Sequence, residues 1–427
     1  MLNGKLLTII LLAMFWLPEA KAGDASELTS RLASAGLENV RTAVGDDGVI
    51  YAAVENRVMR GTWRGAGFAL RLMGEVFPEA GNFVTVILDD GVPRIRVQAR
   101  RSDEGRWKVW VDYDVEKAMG VLGRVAETNS SRGKIDITLH PKISIDNHRL
   151  DVLCEYAVAV APAFEMSLWR GNRITVQPVI PLIGGNLRKD NPLRYLRVGI
   201  ADVSQELLRG GRTALTLAAG MFYPGFAGVH TEFSWMATEE LTVRMKAGLM
   251  GEATAGDGGY RFGKTDKLMV MAGGEWFEPR SRLQFQLAGG RFVYGDWGAR
   301  MDVTRHLGDY AVGVYGVWTE GEHNAGFHFA IPMDRRYRGR KGRVRLRMSE
   351  YFGWEYEMVS YYKYAGQNMG RSCGTRADEN RSARYFQAEY IRLNLQRMMD
   401  GEATDDGRQK AVAAKDRKRN KEKTNNM

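Results

Sequence analysis

The chain has 427 residues, of which 44% are hydrophobic, so it is long enough to bury a substantial core and is not a disordered polymer. Its formal net charge is +10, but residues 408–427 alone hold eight lysine or arginine residues against two acidic ones. The excess charge is therefore concentrated in one polar tail, which argues against a nucleic-acid-binding protein. The two cysteines, Cys154 and Cys373, exclude a disulfide scaffold and leave open whether they pair with each other.

The first 22 residues have the features of a secretory signal peptide. Lys5 supplies the basic start, and Ala20-Lys21-Ala22 has the pattern of a cleavage site. Between them, residues 6–17 are apolar, which is shorter than the ~20 residues that a membrane-spanning helix needs. We therefore predict an exported protein whose signal peptide covers residues 1–22.

Residues 23–115 predict a small α/β domain, which we expect to lie in the periplasm. SELTSRLASAGLENV and TWRGAGFALRLMGEVF predict helices, and hairpins are predicted to turn at Asp47-Gly48 and at Asp90-Gly91. The acidic pairs Asp46-Asp47 and Asp89-Asp90 are interpreted as turn residues rather than as a carboxylate site. Residues 116–144 then predict a helical connector.

Beyond the connector, residues 145–366 consist of strand-like runs of alternating polarity. The clearest is ELTVRMKAGLM, in which Leu241, Val243 and Met245 share one face while Arg244 and Lys246 share the other. About 12 such runs, many with aromatic residues at their ends, favour an antiparallel outer-membrane β-barrel with lipid outside and water inside. A soluble β-sandwich is the alternative, because the same alternation suits a sheet with one wet face. The predicted fold class is thus mainly β, a C-terminal barrel preceded by the small α/β domain.

The polar residues of these runs are the candidate binding groups. Arg300 and Asp302 share a face and predict an ion pair within the inner wall. A basic inner cluster suited to an acidic polymer is predicted from Arg343, Arg345, Arg347, Arg244 and Lys246. We predict no catalytic residue, metal site or cofactor, although His230 and His328 on inward faces leave a barrel hydrolase open as an alternative.

The stretch GRFVYGDWGARMDVTRHL, followed later by FHFAIPMD, resembles the YjbH family, outer-membrane proteins encoded with exopolysaccharide biosynthesis genes. The matching positions, for which the resemblance implies a structural role, are Gly290, Arg291, Gly295, Asp296, Gly298, Asp302, Thr304, Arg305, Ile331, Pro332 and Asp334. Upstream, ENRVMRGTWRGAGFALRLM is similar to the small α/β module of that family. Unlike many members, this chain has no cysteine after the signal cleavage site and is long enough for one barrel only.

The resemblance implies a non-catalytic role in exopolysaccharide or capsule export or assembly at the outer membrane of a Gram-negative bacterium. The expected partners are the exopolysaccharide, which the basic cluster suggests is acidic, outer-membrane lipid, and periplasmic export components, with no nucleic acid. Two alternatives stay open, a polysaccharide-modifying enzyme of the outer membrane or periplasm and a secreted β-sandwich binding protein. After the barrel we predict a helical or loop segment at 367–400 and a basic disordered tail at 401–427.

Overall fold

The protein is described here from a computed structural model that covers residues 24–146, 151–189, 191–209, 211–333, 340, 342–356, 370–378 and 386–401. Over these residues the chain is mainly β, with two sheets and four short helices, which confirms the coarse fold class expected from the sequence. The predicted signal peptide, Asp334, and the predicted tail beyond Gly401 lie outside the described residues. Among the described helices, none has the length and apolar character that crossing a bilayer requires.

Residues 24–122 form a small domain with one five-stranded sheet. Its elements are α1 (Ala25–Ser34), β1 (Glu38–Val44), β2 (Ile50–Glu55), α2 (Thr62–Val76), β3 (Asn82–Asp89), β4 (Val92–Arg101), β5 (Trp107–Asp112) and α3 (Glu116–Leu122). The strands neighbour one another in chain order, and only β2 and β3 are parallel because α2 connects them. Helix α1 is capped by Asp24, whose side chain accepts a hydrogen bond from the Ser26 backbone N–H at 2.8 Å.

A helix from the other end of the chain completes the core of the small domain. This helix, α4 (Ala388–Met399), buries Leu395 in the apolar cluster formed by α1, α2 and the small sheet. It lies along the edge strand β5, where the Gln396 side chain accepts a hydrogen bond from Val109 N–H (3.0 Å) and donates one to Trp107 O (2.8 Å). The edge of the small sheet is thereby covered, and the C-terminal part of the chain is anchored to the N-terminal domain.

The second sheet has fifteen strands. They are β6 (Ile135–Asp146), β7 (Glu155–Met166), β8 (Asn172–Gly185), β9 (Arg197–Arg209), β10 (Thr213–Phe222), β11 (Phe226–Met236), β12 (Leu241–Gly256), β13 (Gly259–Phe262), β14 (Lys267–Glu278), β15 (Leu283–Arg291), β16 (Trp297–Leu307), β17 (Tyr310–Thr319), β18 (Glu322–Pro332), β19 (Val344–Met348) and β20 (Tyr351–Glu355). From β6 to β18 the neighbours follow chain order and are antiparallel, with β13 attached only to β12. The first strand begins at Ile135, inside the predicted connector, because IDITLH already alternates between apolar and polar residues.

The two outermost strands of this sheet are consecutive in the chain. Strand β19 pairs in parallel with β6, and β20 pairs antiparallel with β18. Only Ser349 and Glu350 separate them, and these two residues continue the hydrogen bonding, with Ser349 N–H bonded to Leu139 O (2.9 Å) and Met333 N–H bonded to Glu350 O (3.0 Å). One short segment of chain therefore contacts both the first and the last long strand of the sheet.

The large sheet carries its apolar side chains on its outer face. In β17, Val314 and Trp318 are 59% and 54% exposed, whereas Tyr315 and Val317, pointing the other way, are 5% and 4% exposed. Other large apolar side chains exposed on the long strands are Phe164, Val176, Val203, Leu217, Val229, Met245, Val270, Leu287, Met301 and Phe327. The inner face is mainly polar and includes Gln177, Glu232, Arg244, Lys246, Glu275, Gln286, Arg300, Asp302, Thr304 and His328. In a soluble protein the apolar face of a sheet is buried and the polar face is exposed, and here the two faces are the other way round.

The small domain covers one end of the large sheet, called here the near end, which is formed by turns such as 167–171 and 308–309. At this end Phe277 belongs to the apolar cluster of the small domain, and its ring lies 5.3 Å from that of Tyr390 in α4. The opposite end, called the far end, is formed by turns such as 223–225 and 292–296 and has no contact of this kind with the small domain among the described residues.

Candidate functional site

The inner face of the large sheet surrounds a cavity of ≈1430 Å³. Eight basic and seven acidic residues are among those that line it. Most of these charges are paired, since Arg244 and Lys246 contact Glu232 at 3.1 and 3.7 Å, and Arg244 also lies 3.6 Å from Glu275. The cavity is therefore polar and strongly charged, but close to neutral as a whole.

A stretch of the chain's own C-terminal region runs through this cavity. We call residues 370–378 the inner segment. At the far end, Gly370 N–H donates to Asp296 Oδ2 (3.1 Å), Val293 N–H donates to Arg371 O (3.0 Å), and Gly374 forms a two-way backbone bridge with Tyr223. These contacts fix the beginning of the inner segment to two far-end turns.

The rest of the inner segment continues towards the small domain. Cys373 is 1% exposed and belongs to an apolar cluster on the inner wall, with its Sγ 3.0 Å from Met250 Sδ. Further on, Arg376 lies 3.4 Å from Asp89, in the small domain. The inner segment thus connects the far-end turns with an acidic residue of the small domain, and α4 lies further along the chain. Both cysteines are free thiols, so the possible Cys154–Cys373 disulfide is absent.

A dense polar cluster on the inner wall is centred on Arg300. Its guanidinium bonds Asp302 at 2.7 and 2.9 Å and Glu355 at 2.7 and 3.1 Å, and it lies over the Tyr315 ring at 4.2 Å. The ion pair predicted between Arg300 and Asp302 is therefore confirmed. Because Glu355 comes from β20 and Asp302 from β16, Arg300 also bridges across the sheet to the last short strand.

The same cluster contains a set of side chains that could ligate a metal ion. Ligand atoms of Asp302, His328 and Glu355 lie within 4.8 Å of one another. Arg300, however, already binds both carboxylates, and a cation would have to displace the guanidinium. The donor set therefore fits an arginine-centred ion-pair network better than a metal centre.

Thr304 and His328 form an arrangement that resembles acid–base machinery. Thr304 Oγ1 lies 2.9 Å from His328 Nε2, and His328 Nδ1 lies 3.7 Å from Asp302 Oδ1. The second distance exceeds that of a hydrogen bond, and Asp302 is directed to Arg300 instead. His230 lies elsewhere on the inner wall, buried and 5.9 Å from the Phe222 ring.

The structure does not unite the five basic residues predicted as one cluster. Arg244 and Lys246 line the cavity in β12, whereas Arg345 is 3% exposed in β19 and pairs with Asp136 at 2.8 Å. The other two residues of the predicted cluster have different surroundings. Arg347 pairs with Glu350 at 3.3 Å, and Arg343 is exposed next to β19. Three of the five side chains, those of Arg244, Lys246 and Arg345, contact carboxylates in neighbouring strands that the alternation cannot identify.

The glycines of the YjbH-like motif allow close strand contact. Gly290 and Gly298 face each other in β15 and β16. A Cβ on Gly290 would lie 2.2 Å from a backbone oxygen in β14, and a Cβ on Gly298 would lie 1.9 Å from one in β17. From its glycines, the stretch Gly295-Asp296-Trp297-Gly298 is predicted from the sequence to be a tight turn. This prediction is wrong in position, because Trp297 and Gly298 are already paired in β16 and the turn covers 292–296. Gly295 supplies the positive φ of 97° that this turn requires.

The charged residues of the motif have separate positions. Asp296 is 1% exposed and holds the inner segment, Arg291 Nε donates to Gly295 O at 3.5 Å, and Arg305 is exposed on the outer face near the small domain. Pro332 ends β18 opposite Tyr351. The anchoring role of Asp296 could not be predicted from the sequence, because its partner Gly370 is distant in the chain.

The acidic turn Asp89-Asp90 is a junction site that the sequence analysis missed. Asp90 accepts hydrogen bonds from Arg57 in the small domain and from Arg173 in β8, and Arg173 also lies 3.5 Å from Asp89. The preference of aspartate for turns alone therefore does not account for the carboxylates at Asp89 and Asp90. The available signal was the arginine within the strand-forming run NRITVQP, because a buried guanidinium needs carboxylate partners. One of them, Glu165 at 3.0 Å, lies in the neighbouring strand β7, and the sequence does not show that the others come from the small domain.

Comparison of the chain with known protein families, with curated proteins and with solved structures found no match.

Proposed function

We propose that the protein is an outer-membrane β-barrel that takes part, without catalysis, in the export or assembly of an exopolysaccharide, as its resemblance to the YjbH family implies. The observation that carries the proposal is the reversed polarity of the large sheet. Its outer face exposes valine, leucine, methionine and tryptophan along the long strands, while charged residues line the inner cavity. Such an apolar surface is unfavourable in water and favourable in hydrocarbon.

The hydrogen bonding of the sheet supports the barrel interpretation. A strand edge is not tolerated in hydrocarbon, because its backbone N–H and C=O groups would have no partners. Here segment 344–355 bonds to β6 with its first half and to β18 with its second half. The long strands have 9 to 16 residues, which suits the ~9–11 residues that a tilted strand needs to cross a bilayer.

Exposed aromatic rings lie near both ends of the long strands. At the near end these are Trp169, Trp235, Trp276 and Tyr310, and at the far end Tyr156, Phe262, Trp297 and Trp318. Tyr310 and Trp318 of β17 are separated by about 26 Å along the strand at ~3.3 Å per residue, which corresponds to roughly 20 Å after tilting. This spacing is close to the ~25 Å apolar band of outer-membrane barrels.

The arrangement of the small domain suggests how such a barrel works. The near end is covered by the small domain and α4, so we assign it to the periplasmic side, where export components could bind. The inner segment occupies part of the cavity between the two ends. Passage of a polymer therefore requires the inner segment to shift, which makes the small domain a candidate regulator of access.

The barrel is tested by extracting the full-length protein from membranes with detergent and comparing its gel migration before and after boiling. We expect the unboiled protein to migrate differently and to sediment with the outer-membrane fraction. A protein that is soluble without detergent and shows no heat-dependent shift contradicts the proposal. The export role is tested by deleting the gene and measuring released and cell-retained polysaccharide, for which we expect release to fall and complementation to restore it.

A second candidate function is hydrolysis of the polymer, favoured by the contact between Thr304 and His328. The wide gap between His328 and Asp302, and the engagement of Asp302 by Arg300, make this weaker than the non-catalytic role.

A further inference from the structure

Two polar side chains on the inner wall have no partner among the described residues. Arg197 is the first residue of β9, and Gln177 lies in the adjacent strand β8. Both line the cavity near the far end. Arg197 Nη1 and Gln177 Nε2 are shielded from solvent without a hydrogen-bond acceptor. Gln177 is 3% exposed. Leaving buried donors unpaired, and above all a guanidinium, is unfavourable unless an acceptor occupies the space beside them.

The register of the two strands places these donors beside each other. Arg197 pairs with Val179, which lies two residues after Gln177, so both donors project from the same face of neighbouring strands. Gly199 lies between them on the wall, and a Cβ there would be 3.1 Å from Gln177 Oε1 and 3.0 Å from Val179 Cγ2. A side chain at Gly199 would therefore crowd the Gln177 amide, and the glycine keeps this amide accessible.

The other charges at this end of the cavity do not supply the missing acceptor. Glu252 is bonded to Lys267 at 2.7 Å, and Glu155 accepts from Asn191 at 3.3 Å. Arg197 has no carboxylate partner within the described part of the chain, in contrast to Arg244 and Arg300 deeper in the cavity. A ligand that carries its own negative charge would complete this site.

Aromatic rings and further cations surround the same position. Tyr223 and Tyr260 line the cavity at this end, and the Tyr260 hydroxyl accepts a hydrogen bond from the backbone N–H of Val198, next to Arg197. The Tyr223 ring also has Lys142 Nζ and Arg371 Cζ each 5.7 Å from its centroid. Tyrosine faces can pack against the apolar faces of sugar rings, while the cations raise the local concentration of anions.

We infer that Arg197 and Gln177 form a binding site for the carboxylate of an acidic saccharide at the far-end mouth of the cavity. The guanidinium binds both carboxylate oxygens and the Gln177 amide donates a third hydrogen bond. The inference rests on the proposed function, because it deepens the choice of polymer for the same cavity. It replaces the five-residue basic cluster expected from the sequence with a smaller site built from an unpaired arginine and an amide.

The test uses full-length protein in detergent and measures binding of a galacturonic acid trimer by calorimetry. The neutral control ligand is the methyl ester of the same trimer, in which each carboxylate is replaced by an uncharged methyl ester. We expect the ester to bind about tenfold more weakly, Arg197→Gln to lower affinity for the acid by about tenfold or more, and Gln177→Leu to lower it by about fivefold. The matched control Arg261→Gln removes an exposed charge at the same end and should leave affinity unchanged.

Each outcome has one meaning. Equal binding of acid and ester, or wild-type affinity in both Arg197→Gln and Gln177→Leu, overturns the inference. Inorganic phosphate that competes at the trimer's own concentration also overturns it, because the site would then bind a small anion without a sugar. Heat-dependent migration of each variant verifies folding. If Arg197→Gln does not fold, the affinity of Gln177→Leu for the acid is the deciding measurement. A wild-type protein that shows the heat shift but no trimer binding refutes this site and leaves the proposed function standing.

Discussion

Arg173 in β8 donates hydrogen bonds from Nε and Nη2 to Asp90 Oδ2 in the small domain, at 3.0 and 2.7 Å. On its other oxygen Asp90 accepts from Arg57 and from Ser167 Oγ (2.7 Å). Burial raises the pKa of Asp90, but the charges of Arg173 and Arg57 outweigh burial and hold this pKa well below its usual range. One turn carboxylate therefore joins two sheets through a buried ion pair.

Removal of this carboxylate should weaken the junction. Asp90→Asn keeps the shape of the turn but leaves two buried arginines with one carboxylate fewer, so we expect the free energy of unfolding to fall by about 3 kcal/mol. The midpoint of urea unfolding of the detergent-solubilised protein measures this change. Asp46→Asn, in an exposed hairpin turn of the same domain, is the control and should leave the midpoint unchanged. Equal midpoints for the two variants would contradict a junction role for Asp90.

A second contact between the domains should be sensitive to acid. Asp309, in the turn after β16, bonds Arg64 at 2.6 and 2.7 Å and Arg60 at 2.9 Å. Burial raises the pKa of Asp309, but the hydrogen bonds and charges of the two arginines outweigh burial and lower it. A carboxyl with a lowered folded-state pKa stabilises the fold above the unfolded-state pKa of ~3.9 and loses this contribution as the pH falls through the folded-state value.

We therefore expect the urea midpoint to fall between neutral pH and pH values below about 4. Asp309→Asn should lower the urea midpoint at neutral pH. The midpoint of the variant should also change less with pH over the acid range than the midpoint of the wild type. Urea titrations followed by circular dichroism at several pH values supply both curves. Parallel curves for wild type and variant would mean that Asp309 does not contribute to the acid sensitivity.

The outer face of the large sheet gives a direct test of its surroundings. Val314 lies near the middle of β17 and is 59% exposed. If hydrocarbon covers it, Val314→Lys should destabilise the inserted protein by about 2–4 kcal/mol and reduce the yield in the outer membrane. Val44→Lys is the matched control, since Val44 is 51% exposed on the small domain, which we place outside the bilayer. A soluble sheet would tolerate both lysines equally well.

The alternation of residues was sufficient to predict the two faces of the long strands. Met301 is exposed on the outer face while Arg300 and Asp302 line the cavity, as the period of two requires. The same reasoning predicted helices and hairpins of the small domain, because their signals are local in the chain. Local signals also explain the error at the 292–296 turn, since Gly298 was read as a turn glycine when its role is close strand contact.

Long-range pairing could not be predicted in this way. Arg345 and Asp136 lie in strands that meet only when the last part of the sheet returns to its first strand. The lack of a carboxylate partner for Arg197 among the described residues could not be predicted either, because it depends on which side chains of the other strands lie close to its guanidinium. The inner segment has no alternating pattern at all, so its course through the cavity follows from Asp296 and Asp89, which lie far from it in the chain.

Removal of one hydroxyl group distinguishes the hydrolase alternative from the non-catalytic role. Thr304→Val removes the group that contacts His328 and keeps the shape of the side chain. We expect the chain length of the released polysaccharide, measured by size-exclusion chromatography, to stay the same as in the wild type. Longer polymer in the variant, together with restoration by Thr304→Ser, would instead support a nucleophile at this position.

The final prediction concerns movement of the inner segment. Cys373 Sγ lies 3.0 Å from Met250 Sδ, so Met250→Cys places a second thiol next to the native one. Oxidation should join the inner segment to β12, and because we expect the segment to shift during transport, polysaccharide release should stop. A reductant should restore it. The variant Met250→Cys with Cys373→Ser cannot cross-link and should export normally under both conditions. Undiminished release from cells in which the cross-link is complete would show that the polymer does not need the inner segment to move.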